Sequence, residues 1–460
     1  MASRWTMTKE SAWVGDVERA LTDVDPSAEA ARWRWHSIYR VPACIKDLNR
    51  KAYQPQVVSL GPFHHGEEHL LPMDSHKRRS LLHLLRRARK PLSEFVAAVA
   101  GVVERLEGAY QGLVDDDDRC GGEELEKRRE KFVEMMVTDG CFLLEVMRMA
   151  SGWDVNDYAP NDPVFSSHGL LYTVPYIRRD MIMIENQLPL LVLDKLLDVE
   201  AGNDGQNEDL TNRMVLRFLS PAAWPLATGV GLALHPLDIL RRSLLYGPTH
   251  NTPPPAPPPS DLPPGAPDDI IRSAEELYEA GVRFKRSPTS SLLDITFSRT
   301  TGELRLPAIV VDDTTSTMLL NLMALERLHA GPGAGAAAGN NEVTAYVFFM
   351  DNMIDKAADV ALLASRRIVC NNLGSDKAVA KLFSGLSRDV VLEPHGALDE
   401  VHREVDAYCR KRWNRWRANL VHTYFRSPWS FLSLAAAVFL LGMTVLQTVY
   451  TVLQFYQDAG

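Results

Sequence analysis

Residues 431–450 read FLSLAAAVFLLGMTVLQTVY and lie within a longer stretch, Ser427 to Gln457, that contains no charged residue. A helix of roughly 20 residues at ~1.5 Å per residue spans about 30 Å, the thickness of the hydrocarbon core of a bilayer. The stretch therefore predicts one transmembrane helix over residues 427–456. The alternative is a helix buried in the core of a soluble protein. The expected membrane-anchor residues are Phe431, Leu434, Val438, Leu441, Val445 and Val449.

Four polar side chains share one face of this predicted helix, namely Thr444, Gln447, Thr448 and Thr451. Inside a membrane, such side chains either hydrogen-bond to a partner helix or bond back to carbonyl groups of their own helix. The sequence leaves both alternatives open.

Basic residues crowd the approach to the apolar stretch from its N-terminal side, whereas only Asp458 follows it. Because cytoplasmic flanks carry an excess of Lys and Arg, this asymmetry predicts a cytosolic N-terminal body and a short C-terminal segment that crosses. We expect a single-pass protein of the plasma membrane, with the lipid bilayer as one partner. The basic residues are Arg403, Arg410, Lys411, Arg412, Arg415, Arg417 and Arg426.

The composition of the chain is that of a folded protein. It has 460 residues, of which 46% are hydrophobic and 24% charged, so most of the chain is expected to bury a core. The net charge of −9 argues against a nucleic-acid-binding body, and no nucleic-acid partner is expected. Five scattered cysteines without a Cys-x-x-Cys pair favour free thiols in a reducing compartment.

Apolar periodicity predicts a mainly α fold, a helical cytosolic body with a small β-hairpin, followed by the one C-terminal transmembrane helix. The hairpin is expected to pair residues 292–297 with 303–306 across a turn at Gly302. The helices are expected over residues 76–89, 91–110, 125–147, 180–186, 190–197, 210–219, 270–280, 317–328, 343–363 and 377–386, and along one apolar stripe over 398–424. The apolar side of the first helix is expected to be Leu81, Leu82, Leu84 and Leu85, and that of the second includes Tyr110. Residues 57–60 are expected to form an extended segment.

Composition also divides the chain into segments. Residues 1–34 are predicted to be a flexible leader and residues 35–426 the main domain. Within that domain, the proline-rich residues 247–267 indicate an extended insertion, because proline runs cannot form helix or sheet ladders. Residues 331–341 are predicted to be a Gly/Ala-rich loop. Its glycines resemble a dinucleotide-binding fingerprint only loosely, since they follow a helix and include Pro332.

One histidine-rich segment raises the question of a metal site. His64-His65-Gly66-Glu67-Glu68-His69 contains three imidazoles and two carboxylates. The neighbouring glycines and Pro62 indicate a turn, and the His-Glu-x-x-His motif is absent. A solvated loop with one or two hydrogen-bonded histidines is the favoured interpretation, with a metal site as the alternative.

A second polar cluster, Glu185-Asn186-Gln187, precedes Leu188-Pro189. A catalytic carboxylate is one interpretation. The favoured one is that Pro189 breaks a helix and that these side chains satisfy the freed backbone groups. Because no phosphate loop, nucleophile elbow or kinase motif occurs, we expect no cofactor, no metal and no enzymatic activity. An unrecognised enzyme centred on Glu185, Asn186 and Gln187, or on His64 and His65, is the alternative.

Taken in order, several short motifs resemble the plant family called domain of unknown function 247, also called uncharacterised protein family 0481. They cover roughly residues 35 to 450. They are Ile38-Tyr39-Arg40-Val41-Pro42, Tyr53-Gln54-Pro55, Ser59-Leu60-Gly61-Pro62-Phe63-His64-His65-Gly66, Lys77, Asp139-Gly140-Cys141-Phe142, Asp180, Glu185-Asn186-Gln187-Leu188-Pro189, Leu292-Leu293-Asp294-Ile295, Asn321-Leu322-Met323-Ala324-Leu325-Glu326, Phe349-Met350-Asp351, Tyr424-Phe425 and Pro428-Trp429.

The resemblance implies a single-pass plant membrane protein with no established enzymatic activity. We therefore expect a non-enzymatic protein-interaction or signalling component with a protein partner. Because some grass members are implicated in pollen recognition during self-incompatibility, a recognition determinant of that type is an alternative. Met73-Asp74 and Glu326-Arg327 depart from the family's commoner Met-Glu and Glu-Gln. The candidate family-motif residues are Gly61, Pro62, His64, His65, Glu185, Asn186, Gln187 and Pro189.

Overall fold

The structure is a computed structural model, and its described residues are mainly helical, with two small sheets and one C-terminal apolar helix. The expected mainly α fold class is therefore confirmed. The predicted leader, the proline-rich insertion and the Gly/Ala-rich loop lie almost entirely outside the described residues. Those residues are 35–113, 122–152, 157–202, 208–220, 231–247, 272–329, 341–388, 397–411 and 428–458, with single positions between 14 and 21.

The chain divides into two compact units, of which the first comprises Met1–Ser243 and Thr317–Asn341. The first unit contains a short 3₁₀ turn at Arg50–Ala52. The last two helices given below cross the boundary between the units, and most of each lies in the first unit. The helices are α1 Ala43–Lys46, α2 Pro72–Ala88, α3 Leu92–Ala100, α4 Val103–Gly108, α5 Gly122–Ala150, α6 Ser167–Tyr172, α7 Val174–Asp180, α8 Leu190–Ala201, α9 Glu208–Leu219, α10 Pro236–Leu245 and α12 Thr315–Leu328.

The long helix α5 forms the centre of the first unit and packs against α2, α3, α8 and α9. Its Gly140 lets α8 approach closely. A Cβ atom there would lie 2.5 Å from Cδ1 of Leu196 and 2.9 Å from Cγ1 of Val192. The Asp139-Gly140 motif therefore has a packing reason, because only glycine leaves room for these two side chains.

The second unit comprises Leu244–Ser316 and Glu342–Gly460. Strand β3 pairs with β1 in parallel and with β2 in antiparallel orientation, and β4 pairs with β5 in parallel. The strands are β1 Arg283–Arg286, β2 Thr296–Ser298, β3 Glu303–Leu306, β4 Ile309–Val311 and β5 Val369–Asn371. The helices are α11 Ala274–Glu279, α13 Glu342–Met353, α14 Ala357–Ser365, α15 Asp376–Leu386, α16 Ala397–Arg410 and α17 Pro428–Asp458.

The predicted hairpin is confirmed as the antiparallel β2–β3 pair, although β2 is shorter than expected. The single helix predicted over 343–363 is wrong, because residues 354–356 interrupt it. Asp359 accepts a hydrogen bond from the backbone N–H of Lys356 at 2.9 Å and starts a new helix there.

Two further predictions about helices are wrong. The helix predicted over 91–110 stops at Ala100 and resumes at Val103, with Gly101, a poor helix former, at the break. Leu82, expected on the buried side of α2, is 65% exposed, whereas Leu84 is fully buried. The apolar stripe over 398–424 is confirmed for α16, and its part beyond residue 411 lies outside the described residues.

The apolar helix α17 is long enough to cross a membrane. Its segment Ala435–Val452 has a mean hydropathy of 1.7, and none of that segment is buried. This exposure counts against the alternative of a core helix in a soluble protein. Val438, Leu441, Val445 and Val449 all lie exposed on it. Phe431 and Leu434 belong to the same helix, but their side chains lie outside the described part.

Candidate functional site

The predicted extended segment follows a bend at Gln56 and Val57, and among the described residues it pairs with no strand. The Asp180 carboxylate holds this bend. Its Oδ2 atom accepts hydrogen bonds from the backbone N–H groups of Gln56, Val57 and Val58 at 3.0, 2.7 and 3.1 Å. Because a buried N–H without an acceptor costs about 1–3 kcal/mol, this one carboxylate fixes the segment strongly.

The Asn186 side chain bonds to Val58 and Leu60 where a partner strand would otherwise bond to them. Its Oδ1 accepts from the N–H of Leu60 at 2.7 Å, and its Nδ2 donates to the carbonyl of Val58 at 3.0 Å. The same Nδ2 donates to the carbonyl of Asp180 at 3.0 Å. An amide is suited to this position because it carries both a donor and an acceptor, as a backbone peptide does.

Gln187 folds the loop that follows α7. Its Nε2 donates to the carbonyls of Met181 and Met183 at 2.6 and 2.7 Å, and its Oε1 accepts from the N–H of Leu237 at 3.0 Å. In a continuing helix these carbonyls would accept hydrogen bonds from backbone N–H groups four residues later. Here α7 ends at Asp180, so the helix predicted over 180–186 is wrong. The expected bonds from these amides to the backbone are present. They do not serve a helix broken by Pro189, because α7 already ends nine residues before that proline.

Gly61 lies where this loop meets α5. Its N–H donates to Oδ2 of Asp139 at 2.9 Å, and its φ angle of +71° favours glycine. A Cβ atom there would lie 2.5 Å from the Tyr110 hydroxyl oxygen and 2.8 Å from the Gln187 carbonyl oxygen. Tyr110 donates to that same carbonyl at 2.9 Å. Only glycine therefore fits this position.

Lys77 and Asp139 form a buried ion pair beneath the extended segment. The Lys77 ammonium lies 2.7 Å from Oδ1 of Asp139 and donates to the carbonyl and the hydroxyl of Ser59 at 2.7 and 3.1 Å. All three ammonium protons therefore have acceptors. A buried charge pair is tolerated only when its remaining hydrogen-bonding groups are satisfied in this way.

Asn321, on α12, holds the loop from a further position in the chain. Its Oδ1 accepts from the N–H of Ile184 at 2.9 Å, and its Nδ2 donates to the carbonyl of Ala52 at 2.7 Å. Like Asn186, this buried side chain bonds to two separate backbone segments. We call the side chains that bind the backbone in this way the polar network; they are those of Lys77, Tyr110, Asp139, Asp180, Glu185, Asn186, Gln187 and Asn321.

Glu185 connects the network to a half-buried group of charges. Its Oε1 accepts from the N–H of Val41 at 2.6 Å, and its Oε2 lies 2.6 Å from the Lys46 ammonium. Nε2 of His64 lies 3.5 Å from the same Oε2, while Nδ1 of His64 is 2.6 Å from Oε1 of Glu67. His64 is thus placed between two carboxylates.

These contacts shift both titrating groups. Burial lowers the pKa of His64, but its interactions with Glu185 and Glu67 outweigh burial and leave the pKa raised. Burial likewise raises the pKa of Glu185, but His64, Lys46 and the Val41 N–H together leave it lowered. The charged form of each group is therefore the stabilised one.

The other two histidines of the motif segment lie outside this group or at its edge. His65 is exposed. Nδ1 of His69 lies 3.6 Å from Oε2 of Glu67, and its Nε2 lies 3.0 Å from the Pro55 carbonyl oxygen. Among the described residues, no group of three or more His, Cys, Asp or Glu side chains is placed to hold a metal ion. The loop with hydrogen-bonded histidines is confirmed, except that His64 is buried and not solvated.

A surface depression lies beside the extended segment and has a volume of about 280 Å³. It is lined by Lys51, Gln54, Pro55, Gln56 and His69. Neither His64 nor the cluster 185–187 lines it. The residues proposed for an enzymatic alternative are therefore not gathered in this depression.

The network contains residues that sequence reasoning did not include among the candidate site residues. In the sequence, Lys77, Asp139, Asp180 and Asn321 stand out only as members of family motifs, and Tyr110 only as an apolar position of a predicted helix. Their signal is a polar side chain in a predominantly apolar segment, as with Asp139 in α5. That signal does not show which backbone group each side chain will bind, because the two groups lie in segments that are distant in sequence.

Comparison with known proteins places these motifs in a wider group. The family model DUF247, described as a plant protein of unknown function, matches residues 38–443. The UPF0481 protein At3g47200 of Arabidopsis thaliana is 32% identical over 444 residues, which cover 92% of this chain and 87% of the relative. The putative UPF0481 protein At3g02645 of the same plant is 24% identical, with 95% and 94% covered. No solved structure matches. The family resemblance is confirmed.

Replacing Asp180 with alanine is expected to lower the free energy of unfolding by about 2–3 kcal/mol, because the buried N–H of Val58 and the part-buried N–H groups of Gln56 and Val57 lose a charged acceptor. Chemical denaturation of the detergent-solubilised full-length protein measures this loss. The control is Asp47→Ala, whose exposed ion pair with Arg50 predicts a change below about 1 kcal/mol. Similar small losses in both variants would contradict the role assigned to Asp180.

Replacing His64 with glutamine should change how stability depends on pH. Because folding raises the pKa of His64 above its ordinary value of 6.5, its stabilising contribution is fully present below that value. The contribution is lost as pH rises through the higher folded pKa. The stability difference between wild type and His64→Gln should thus be largest near pH ~6 and decline at higher pH. Denaturation midpoints at a series of pH values measure it.

His65→Gln is the matched control, because His65 is exposed and lies outside the charged group. It should leave the pH profile of stability unchanged. Glu185, whose pKa is lowered from 4.5, stays ionised across this range and does not contribute to the change. A pH-independent difference between wild type and His64→Gln would show that the imidazolium is not the stabilising form.

Proposed function

The chain belongs to the plant DUF247 family of unknown function, and we propose that it is a membrane-anchored, non-enzymatic protein-interaction component. The observation that carries the proposal is helix α17, whose 18-residue apolar segment is wholly exposed. Removing an exposed valine or leucine side chain from water gains about 1.5–3 kcal/mol, so a bilayer is the natural environment for this helix. The basic residues before it favour a cytosolic body at the plasma membrane.

The non-enzymatic part of the proposal is supported by the polar network. Asp180, Asn186 and Gln187 are each at most 3% exposed, and all their described hydrogen bonds go to backbone groups. A catalytic side chain must reach a substrate atom. These side chains instead form hydrogen bonds to the backbone. This is a structural role for residue types that often occur in active sites.

The interaction part is supported by a surface on α6 and α7. Leu171, Tyr172 and Tyr176 are 71%, 63% and 48% exposed, although they lie within six residues of one another. Tyrosine is enriched where proteins bind one another, because its ring supplies contact area and its hydroxyl a hydrogen bond. We call these three residues, with Arg178 and Arg179, the docking surface.

The two arginines of the docking surface specify the charge of the partner. The Arg178 guanidinium lies 4.9 Å from the Phe218 ring centroid, and that of Arg179 lies 5.4 Å from the Tyr176 ring centroid. Among the described residues neither has a carboxylate at ion-pair distance, and buried nitrogen atoms of both lack a hydrogen-bond acceptor. Burial lowers the pKa of Arg178, with no compensating acidic neighbour.

We therefore assign the docking surface to an acidic segment of a protein partner. Carboxylates would pair with two guanidinium groups that have no carboxylate at ion-pair distance among the described residues, and they can do so with planar bidentate geometry. Anionic lipid is a weaker match, since membrane recognition uses clusters of about 4–8 basic residues and this surface has two arginines. The pollen-recognition alternative stays a prediction from the family resemblance.

Membrane anchoring and orientation can be tested in sealed microsomes that expose their cytosolic face. Protease should digest the body of the full-length chain and leave a fragment containing α17, which alkaline carbonate should not extract. The double variant Leu441→Arg, Val445→Arg should be extracted, because each central arginine costs about 2.5–3.5 kcal/mol. Leu82→Arg, at an exposed position of α2, is the control and should remain membrane-bound. A protease-protected body would reverse the orientation, and extraction of the wild type would refute the anchor.

The docking surface can be tested by proximity labelling in the native tissue with the full-length chain. Arg178→Gln with Arg179→Gln should lower the labelling of acidic partners by about tenfold, since a single charge-assisted bond is worth about 1.5–3 kcal/mol. The control, Arg78→Gln with Arg86→Gln, removes the same charge from exposed positions on α2. Equal thermal stability would show that both variants fold. An unchanged set of labelled proteins, or loss of partners that present a basic face, would contradict the assignment.

A further inference from the structure

Helix α17 has two different faces. At about 100° per residue, Val438, Leu441, Val445 and Val449 fall together on a face that carries no polar side chain. The opposite face is centred on Gln447. It also carries Ser433, Leu440, Thr444 and Thr451. A helix that only anchors a protein in lipid gains nothing from such a division, so the polar face needs its own explanation.

The threonine hydroxyl groups near this face are already satisfied within the helix. Thr444, Thr448 and Thr451 each donate to the carbonyl four residues earlier, at 2.8 Å in all three cases. Of the two alternatives for the polar side chains, bonding to their own helix therefore holds for the threonines. It does not hold for the Gln447 amide, which has no hydrogen-bond partner among the described residues.

The position of Gln447 makes that amide costly in a membrane. It lies inside the segment Ala435–Val452, about 7 Å along the axis from its C-terminal end at ~1.5 Å per residue. A short amide side chain at that depth does not easily reach the headgroups. An unpartnered polar group in hydrocarbon costs several kcal/mol, so a partner inside the bilayer is favoured.

We propose that two copies of this chain associate through the Gln447 face of α17. This inference rests on the proposed membrane anchoring. Copies of a single-pass protein insert in parallel, so Gln447 of one copy lies at the same depth as Gln447 of the other. Because an amide carries both a donor and an acceptor, the two side chains satisfy each other across a twofold axis.

The spacing of the neighbouring residues fits such a pair. Ser433, Leu440 and Gln447 recur every seven residues, and Ala436 and Met443 form a second row with the same spacing. Two rows of this kind form the contact line of a left-handed pair of helices, the common arrangement in membranes. The purely apolar face then remains in contact with lipid on the outside of the pair.

The test uses the full-length chain with donor or acceptor fluorescent proteins at its N-terminus, reconstituted into phosphatidylcholine vesicles. Energy transfer as a function of the protein-to-lipid ratio gives the association constant. Gln447→Leu should weaken association about 3- to 20-fold, the range for one hydrogen bond between membrane helices. Gln447→Asn keeps the amide and should retain most of the association. Val449→Leu, on the apolar face, is the matched control and should associate like the wild type.

Alkaline extraction of the same vesicles separates the two proposals. A chain that resists extraction but shows no specific energy transfer overturns the self-association and leaves the anchor intact. Equal association of the wild type and Gln447→Leu also overturns it, since contact would then depend on other residues. A chain that alkali extracts from the vesicles overturns both proposals.

Discussion

A backbone segment, residues 56–60, enters the core of the first unit through a bend, and side chains bind it where a neighbouring strand would be. The Asp180 carboxylate and the Asn186 amide bind its N–H and carbonyl groups. Buried backbone groups must find partners, and these two side chains supply them where no strand does. Much of the first unit follows from this constraint, because Gln187, Gly61 and Asp139 hold the same loop in position.

The same constraint explains why the family motifs resemble an active site. Carboxylates, amides and imidazoles are the side chains of catalysis, but they are also the side chains that best replace peptide groups. Shifted pKa values occur in structural ion pairs as well as in active sites. In this protein the shifts of His64 and Glu185 arise from their contacts with each other, with Glu67 and with Lys46. The motif is therefore best understood as a device that closes a loop.

Helix α7 links this device to the docking surface. It presents Tyr176, Arg178 and Arg179 at the surface and ends at Asp180, whose carboxylate binds the extended segment. The exposed residues are therefore held on a rigid element, which lowers the entropy lost when a partner binds. Helix α17 supplies the other half of the proposed function, with one face suited to lipid and the other to a second copy. Anchoring and pairing thus use opposite faces of α17, whereas docking uses α6 and α7.

The sequence by itself determined the features that depend on neighbouring residues. It predicted the apolar length of α17, most helices through their periodicity, and the β2–β3 hairpin through its turn. It did not predict that α7 ends at Asp180, or that β1 pairs with β3 and β4 with β5. The bonds of Asp180 to the extended segment join residues more than 120 positions apart. Only the tertiary structure decides such pairings, because periodicity describes one segment, whereas a buried hydrogen bond depends on which two segments pack together.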